Sequence, residues 1–292
     1  MQALHSFGAA LIVVAIAGGT AIAGDTKTVN VDCGTGQTIQ EALDHHSAPG
    51  RTLIVKITGT CTENVVVTAD DTTLMGDPTA MVTSTDPARN TILVNGAARC
   101  TIQNLVVSGA RNGIAVISSG SVSVHAVQAQ SNTQSGVVAT TGSRVDVDAS
   151  TLANNGTSGL SVTDNAAGFL TNSTVQNNAT SGVVVQRASS ARIGQSSVGV
   201  NGPNTIQQNG SNGVFVYESA QALVHGNTVS SNGSAGVSVE AAAATITSNT
   251  VQSNGTNGVI VTNNAGARVG ITDQGAAAGN TIVMAWTSAS EG

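Results

Sequence analysis

Aromatic residues make up only 2% of this 292-residue sequence, and charged residues only 9%. A thick globular core is usually filled with large rings, so their scarcity points to a thin core of Val, Ile, Leu and Ala. Lys and Arg number 10 against 16 Asp and Glu, for a net charge of -6, and the basic residues are scattered. That excludes the footprint of a protein that binds nucleic acid or anionic lipid. Cys/His pairs at metal-ligand spacing, a nucleophile elbow and a phosphate-binding Gly loop are all missing. Beyond the N-terminus no run is apolar enough to cross a membrane.

The N-terminus holds the one long apolar run, "FGAALIVVAIAGGTAIAG". Ala21-Ile22-Ala23 before Gly24 fits a small-x-small cleavage site, which makes residues 1–23 a signal peptide. The preceding "MQALHS" has no Lys or Arg, and a membrane anchor is the other reading. Export places the mature chain outside the cell or in a periplasm, with no membrane span after the signal is removed. Disulfides persist in such a compartment. Cys33 and Cys61 flank the N-terminal region and are read either as a disulfide or as free thiols. Cys100 falls at a small inward position and reads as buried filler.

What the sequence has in plenty is Gly, 34 of them, and many are periodic. Gly113, Gly136, Gly159, Gly182, Gly213, Gly236 and Gly258 each open a Gly-hydrophobic-x-Val/Ala segment, at spacings of 23, 23, 23, 31, 23 and 22. A period in the low twenties, built of short alternating runs and turn residues, marks a solenoid. Ile114, Val137, Leu160, Val183, Val214, Val237 and Val259 follow the Gly directly, with a second inward position two residues on. A second strand supplies Val124, Val147, Leu170, Ile193, Val224, Ile246 and Val269. A third supplies Leu152, Val175, Ile206, Val229, Val251 and Ile282. Three short strands per coil, each pairing with its copy about 4.8 Å above, predict a parallel β-helix.

Asn132, Asn155, Asn178, Asn209, Asn232 and Asn254 each stand four residues before a ruler Gly. Asn tolerates left-handed backbone at a corner, and stacked amides form a hydrogen-bonded ladder. Some of these Asn sit in glycosylation sequons, but an inward Asn cannot carry a glycan. Eight extra residues recur in "ARIGQSSVGVNGPNTI" and "ARVGITDQGAAAGNTI", so one corner bulges twice. The segment "GQTIQEALDHH" reads as a helix with a Thr38/Glu41 capping box and an apolar face of Ile39, Ala42 and Leu43. It covers the open N-terminal edge of the stack. At the other end the pattern stops in "VMAWTSASEG", where either Trp286 caps the last coil or the repeat is cut short.

These repeats, the helical cap and "ITGTCTENVVVTADDTTLMGD" resemble the secreted right-handed parallel β-helix proteins of the pectate-lyase-like superfamily. The resemblance covers the chain after the signal. It implies an all-β, right-handed, single-stranded parallel β-helix, with a cap over 24–50 and the helix proper over 51–292. It implies a carbohydrate-related role but not which one, because members range from lyases, hydrolases and epimerases to adhesin-like rods. The polygalacturonase motifs are incomplete and out of order here: Asp70-Asp71 lies early, His225-Gly226 lacks the preceding Gly, and Arg192-Ile193-Gly194 lacks the Lys. Local pectate-lyase motifs are missing as well.

Outward columns are the remaining place for chemistry. On the second strand one column reads Ser123, Asp146, Phe169, Arg192, Leu223, Thr245 and Arg268. The next reads His125, Asp148, Thr171, Gly194, His225, Thr247 and Gly270. His125, Asp146 and Asp148 are therefore expected to cluster, with Arg192 two coils above Asp146. In a catalytic reading, Asp146 and Asp148 hold calcium against a uronate and Arg192 or His125 takes the proton. Phe169 offers a flat face to a sugar, and so do Phe215 and Tyr217 on the first strand, which otherwise pack under a bulge. Asp164, Arg187 and Glu218 form a surface charge ladder. Two functions stay open. One is a non-catalytic polysaccharide-binding or surface-structural protein; the other is a polysaccharide lyase or related uronate-acting enzyme.

Overall fold

The computed structural model describes residues 25–84, 86–272 and 275–283. The expected signal peptide and Trp286 lie outside the described residues. Successive coils stack as parallel strands with side chains in register, so an inward residue always lies on an inward residue. Val137, for example, sits between Ile114 and Leu160, and Val147 between Val124 and Leu170. All three inward columns are buried up to the last coil, where cover is lost. The core is a narrow stack of Val, Ile, Leu and Ala, which is why the chain needs so few rings.

The hydrogen bonding groups these strands into two sheets. First strands form one. Second and third strands are joined in the other because the early strands Thr72–Thr83 and Cys100–Ser108 run through both positions. The first strand of this sheet, Thr26–Asp32, pairs with Thr52–Thr58, so stacking begins inside the segment read as a cap.

The helix runs over Ile39–His46 and buries Ile39, Ala42 and Leu43. Thr38 accepts the Glu41 amide at 3.2 Å. A second cap comes from Glu63, whose carboxylate accepts the amides of Ile39 and Gln40 at 2.8 and 3.0 Å. A negative group there also meets the positive end of the helix dipole. Cys33 and Cys61 form a disulfide that ties the turn before this helix to the stack. Cys100 is buried and free, and burial pushes its thiol up to about 11.

The asparagine ladder is continuous. From Asn132 to Asn254 each Nδ2 donates to the next Oδ1 at 2.9 to 3.0 Å. The same Oδ1 also accepts the preceding rung's backbone amide, as from Asn155 to Asn178 at 3.1 Å. The left-handed residue is not the rung, as the sequence suggested, but the one before it: Ser131, Asn154, Asn177, Gln208, Ser231 and Ser253. The chain must turn first so that the rung can point inward. A second ladder, Asn204 to Asn227 to Asn249 to Asn280, runs at the corner between second and third strands with steps of 2.9 to 3.1 Å. Its sequence mark is Asn-Thr-Val/Ile, which stands at all four rungs and also at Asn90-Thr91-Ile92, ahead of a strand of the first sheet. The ruler Gly residues, in turn, answer to close approach and not to left-handed backbone. At Gly159 an added Cβ would sit 2.4 Å from Val175 Cγ1.

Candidate functional site

The second strands Ser121–His125, Arg144–Asp148, Ala167–Thr171 and Ser190–Ile193 lie side by side. Their register puts Ser123, Asp146, Phe169 and Arg192 in one outward column, and His125, Asp148 and Thr171 in the next. His125, Asp146, Asp148 and Phe169 are therefore brought together. Asp148 is the hub. Its Oδ1 accepts from Thr171 Oγ1 at 2.9 Å and from Asn172 Nδ2 at 2.8 Å. Its Oδ2 meets His125 Nδ1 at 3.0 Å. Partial burial works against ionising this carboxyl, but the three donors outweigh it and hold it below the usual carboxylate range. An ionised carboxylate only accepts, so His125 donates from Nδ1 and presents Nε2 to solvent as its basic nitrogen.

Asp146 has a different partner. Arg144, two residues earlier on the same strand face, makes a two-point contact to it at 3.0 and 3.1 Å. The Arg144 guanidinium also lies over the Phe169 ring, 4.2 Å from its centroid. Arg144 and Asn172 were not among the residues singled out from the sequence. Arg144 was legible as an i, i+2 neighbour of Asp146; Asn172 was not, because it belongs to a corner. Arg192 does not join the acids. Phe169 stands between, and Arg192 Nη1 donates to Gln195 Oε1 at 3.2 Å.

Gln195 opens the first of the two bulges, which is a small hairpin. Gln195 pairs with Asn201, and the Ser196 amide donates to the Val200 carbonyl at 2.8 Å. This hairpin walls one side of the site. A depression of about 360 Å³ lies between Asp146, Asp148, Phe169 and Asn172 on one side and Ser196, Val200 and Asn201 on the other. Across Phe169 a shallower depression of about 730 Å³ continues along the sheet, over Arg192, Leu223, Thr245 and Arg268. Phe169 is thus a ridge between an acidic hollow and a basic trough.

Phe215 and Tyr217 are elsewhere, on the outer face of the first sheet. They stack on each other, with ring centroids 4.3 Å apart and planes 11° apart. The Tyr217 hydroxyl donates to Gln186 Oε1, and burial, helped by Glu218, pushes its phenol up. The Asp164, Arg187 and Glu218 ladder is an exposed chain with contacts of 3.6 and 3.4 Å.

The fit to a cation can be judged from the donors. Calcium takes six to eight oxygen ligands. Both Asp146 oxygens are engaged by Arg144, and both Asp148 oxygens have donors. Asp146 and Asp148 alone supply only part of such a set, and their charge is already met by Arg144 and shared with His125. Among the described residues the one close trio of potential ligands is Cys33, Cys61 and Glu63. Its sulfurs are bonded to each other.

The family model for the right-handed β-helix region matches residues 77–207 and 201–274. Several solved structures share the fold. Pectate lyase Pel9A is 12% identical, with a TM-score of 0.59 over 84% of this chain and 79% of that one. The periplasmic alginate epimerase AlgG is 11% identical, with a TM-score of 0.58 over 89% and 73%. The A-module of the Azotobacter vinelandii mannuronan C-5 epimerase AlgE4 is 13% identical, with a TM-score of 0.51 over 84% and 94%. At these identities the likeness is one of fold. No curated protein sequence matches the chain.

Proposed function

The chain belongs to the right-handed β-helix family, and from that footing we propose that it is an exported protein that binds a polysaccharide along the outer face of its second sheet. The observation that carries this is the Phe169 ridge between two depressions. One face of its ring is held by Arg144, which fixes the ring as a rigid edge. A sugar packs its apolar face on the other, while hydroxyls find Asn172, Ser196 and Asn201 on one side and Arg192 on the other. The similar folds include a pectate lyase and two alginate or mannuronan epimerases by name, and polysaccharide is carried over from them as the ligand class. Export, to a periplasm or beyond the cell, is supported by the Cys33–Cys61 disulfide. In this reading the protein is a binder or surface scaffold, because both acids of the site are already engaged.

One observation favours a second reading. His125 is oriented by its Nδ1 contact with Asp148, a residue that lines the depression. An oriented imidazole is a serviceable general base, as a polysaccharide lyase or related uronate-acting enzyme would need. Asp148 then positions the base, and Arg192, held beyond Phe169, steers the acid group of the sugar.

The experiment separates the two. The protein is incubated with a panel of polyuronates and neutral glycans, with and without calcium, and followed for unsaturated product, new reducing ends and retention on the glycan. Binding without turnover, weakened about three- to tenfold in Phe169→Ala, is the expected result; stacking of this kind is worth about 0.5–1.5 kcal/mol. Turnover that is lost in His125→Ala replaces the binding reading with the enzymatic one. No retention on any glycan, or retention untouched by Phe169→Ala, removes the second-sheet face as the site.

A further inference from the structure

The sequence holds three Phe, one Tyr and one Trp. Phe7 and Trp286 lie outside the described residues. The other three, Phe169, Phe215 and Tyr217, all stand in outward columns, and among the described residues no ring is part of the core. A chain that needs no ring for packing has therefore placed every described ring on an outer face. Phe169 belongs to the second sheet, Phe215 and Tyr217 to the first. Single apolar side chains on a surface need no explanation, but a stacked pair of rings does.

The pair sits in a strip of mixed chemistry. Phe215 lies between Val184 and Ser238 in its column, and Tyr217 lies next to Glu240 in its own. Because they stack, each ring turns one face to the other and keeps the opposite face for a third group. The Tyr217 hydroxyl is anchored on Gln186, so the pair is held before anything binds. One coil below Gln186 in the same column stands Thr163, each being one residue past the paired Val162 and Val185. Thr163 is 8% exposed, and its Oγ1 is the one buried side-chain polar atom without a partner among the described residues. Such an atom calls for an explanation, and a hydroxyl-rich ligand lying along this column supplies one.

Flat rings beside amides and hydroxyls suit the apolar face and hydroxyl edge of a sugar. The charge around them says which sugar. Beside the pair stand three carboxylates, Asp164, Glu218 and Glu240, to one guanidinium, Arg187. A uronate would meet this surplus of like charge and be repelled. A neutral sugar can use the same carboxylates as hydrogen-bond acceptors. We propose that the first-sheet face around Phe215 and Tyr217 is a second saccharide site, one that takes a neutral hexose polymer. The polymer runs along the solenoid axis, because a hexose lengthens a chain by about one strand spacing. One sugar stacks on the ring pair, and its neighbours bond to Gln186 and Glu240. The site does not rest on the Phe169 reading. Where that reading also holds, one molecule bridges two glycan chains on two faces.

Tyr217 is the only tyrosine in the sequence, so isotope labelling of tyrosine gives a ring signal in nuclear magnetic resonance from this face alone. The parent is titrated with neutral oligosaccharides of glucose and of mannose, and with an oligouronate. The Tyr217 signal is followed, together with retention on gels that carry the matching polymers. The expected result is a saturable shift of Tyr217 with a neutral oligosaccharide and none with the oligouronate. Phe215→Ala weakens the neutral affinity about three- to tenfold, while the Tyr217 shift survives Phe169→Ala. No shift with any neutral oligosaccharide overturns the proposal, and so does a midpoint that Phe215→Ala leaves unmoved. An oligouronate that shifts Tyr217 as strongly overturns the neutral class. A neutral glycan retained by the gel without moving Tyr217, and released in Phe169→Ala, overturns this site and keeps the second-sheet reading. The labelled parent decides even if Phe215→Ala fails to fold.

Discussion

Asn178→Ala tests whether the ladder carries the stack or merely decorates it. Asn178 is 1% exposed, and its side chain makes four hydrogen bonds. Oδ1 accepts the Asn155 amide at 3.1 Å and Asn155 Nδ2 at 2.9 Å. Nδ2 donates to Asn209 Oδ1 at 2.9 Å and to the Leu152 carbonyl at 3.0 Å. Alanine removes all four. Asn155 Nδ2 keeps the Ala129 carbonyl, and Asn209 Oδ1 keeps the Asn178 amide. The Asn155 amide is left without a partner in a dry interior. One orphaned buried donor costs about 1–3 kcal/mol, and the other three bonds about 0.5–1.5 each, so the loss is about 2.5–7.5 kcal/mol. Serine should lose roughly half of that, because the second column shows a Ser oxygen can reach: Ser173 Oγ accepts the Ser150 amide at 3.0 Å. The assay is urea unfolding of the parent and both variants, read with amide exchange at Asn155, since a solenoid need not unfold in one step. A loss under about 0.5 kcal/mol for alanine, or serine as damaging as alanine, refutes the reasoning.

Gly159→Ala should destabilise by about 1–3 kcal/mol through overpacking on Val175, whereas Gly266→Ala, where an added Cβ meets nothing within 4 Å, should melt with the parent. Replacing Cys33 and Cys61 by Ser opens a loop of sequence separation 28 and should lower stability by about 3–4 kcal/mol on the chain-entropy account, with exchange rising first in Ile39–His46. Asp148, with its folded pKa depressed, stabilises the protein above its unfolded pKa of about 3.9, and that contribution fades as pH falls through the lower folded value. A carboxyl carbon titration should therefore place Asp148 below the usual aspartate range, and Asn172→Ala should move it upward; no movement would mean Asn172 is not a donor in solution.

The fold was legible because a parallel solenoid makes the same demand of every coil. A Val, Ile or Leu must fall on the three inward columns, and the 23-residue count keeps them there through Val147, Leu170 and Ile193. A rung such as Asn155 must meet Asn178 for the same reason. The second ladder escaped notice because its lower positions are Ser150 and Ser173, not Asn, although their oxygens serve the same backbone amides. The union of second and third strands into one sheet was also hidden. It depends on two early strands that run straight through a corner before the period becomes regular.

Outward columns carry no such demand, so register can foretell which residues are neighbours but not what they bond. His125 and Asp148 were placed together by counting; that Asn172 and Thr171 complete the carboxylate follows from a corner and from side-chain reach. The two bulges sharpen the point. They repeat the same hairpin: Ser196 to Val200 at 2.8 Å is matched by Thr272 to Ala276 at 2.9 Å. Two coils beneath the first stands Asp148, bonded to Thr171 Oγ1 at 2.9 Å. In the same place beneath the second stands His225, bonded to Thr247 Oγ1 at 3.0 Å. The scaffold has thus copied the wall, the threonine and the hydrogen bond, but put an imidazole where the first site has an anion. Whatever chemistry depends on that anion belongs to the first hairpin alone, while a function served by shape and hydroxyls can use both.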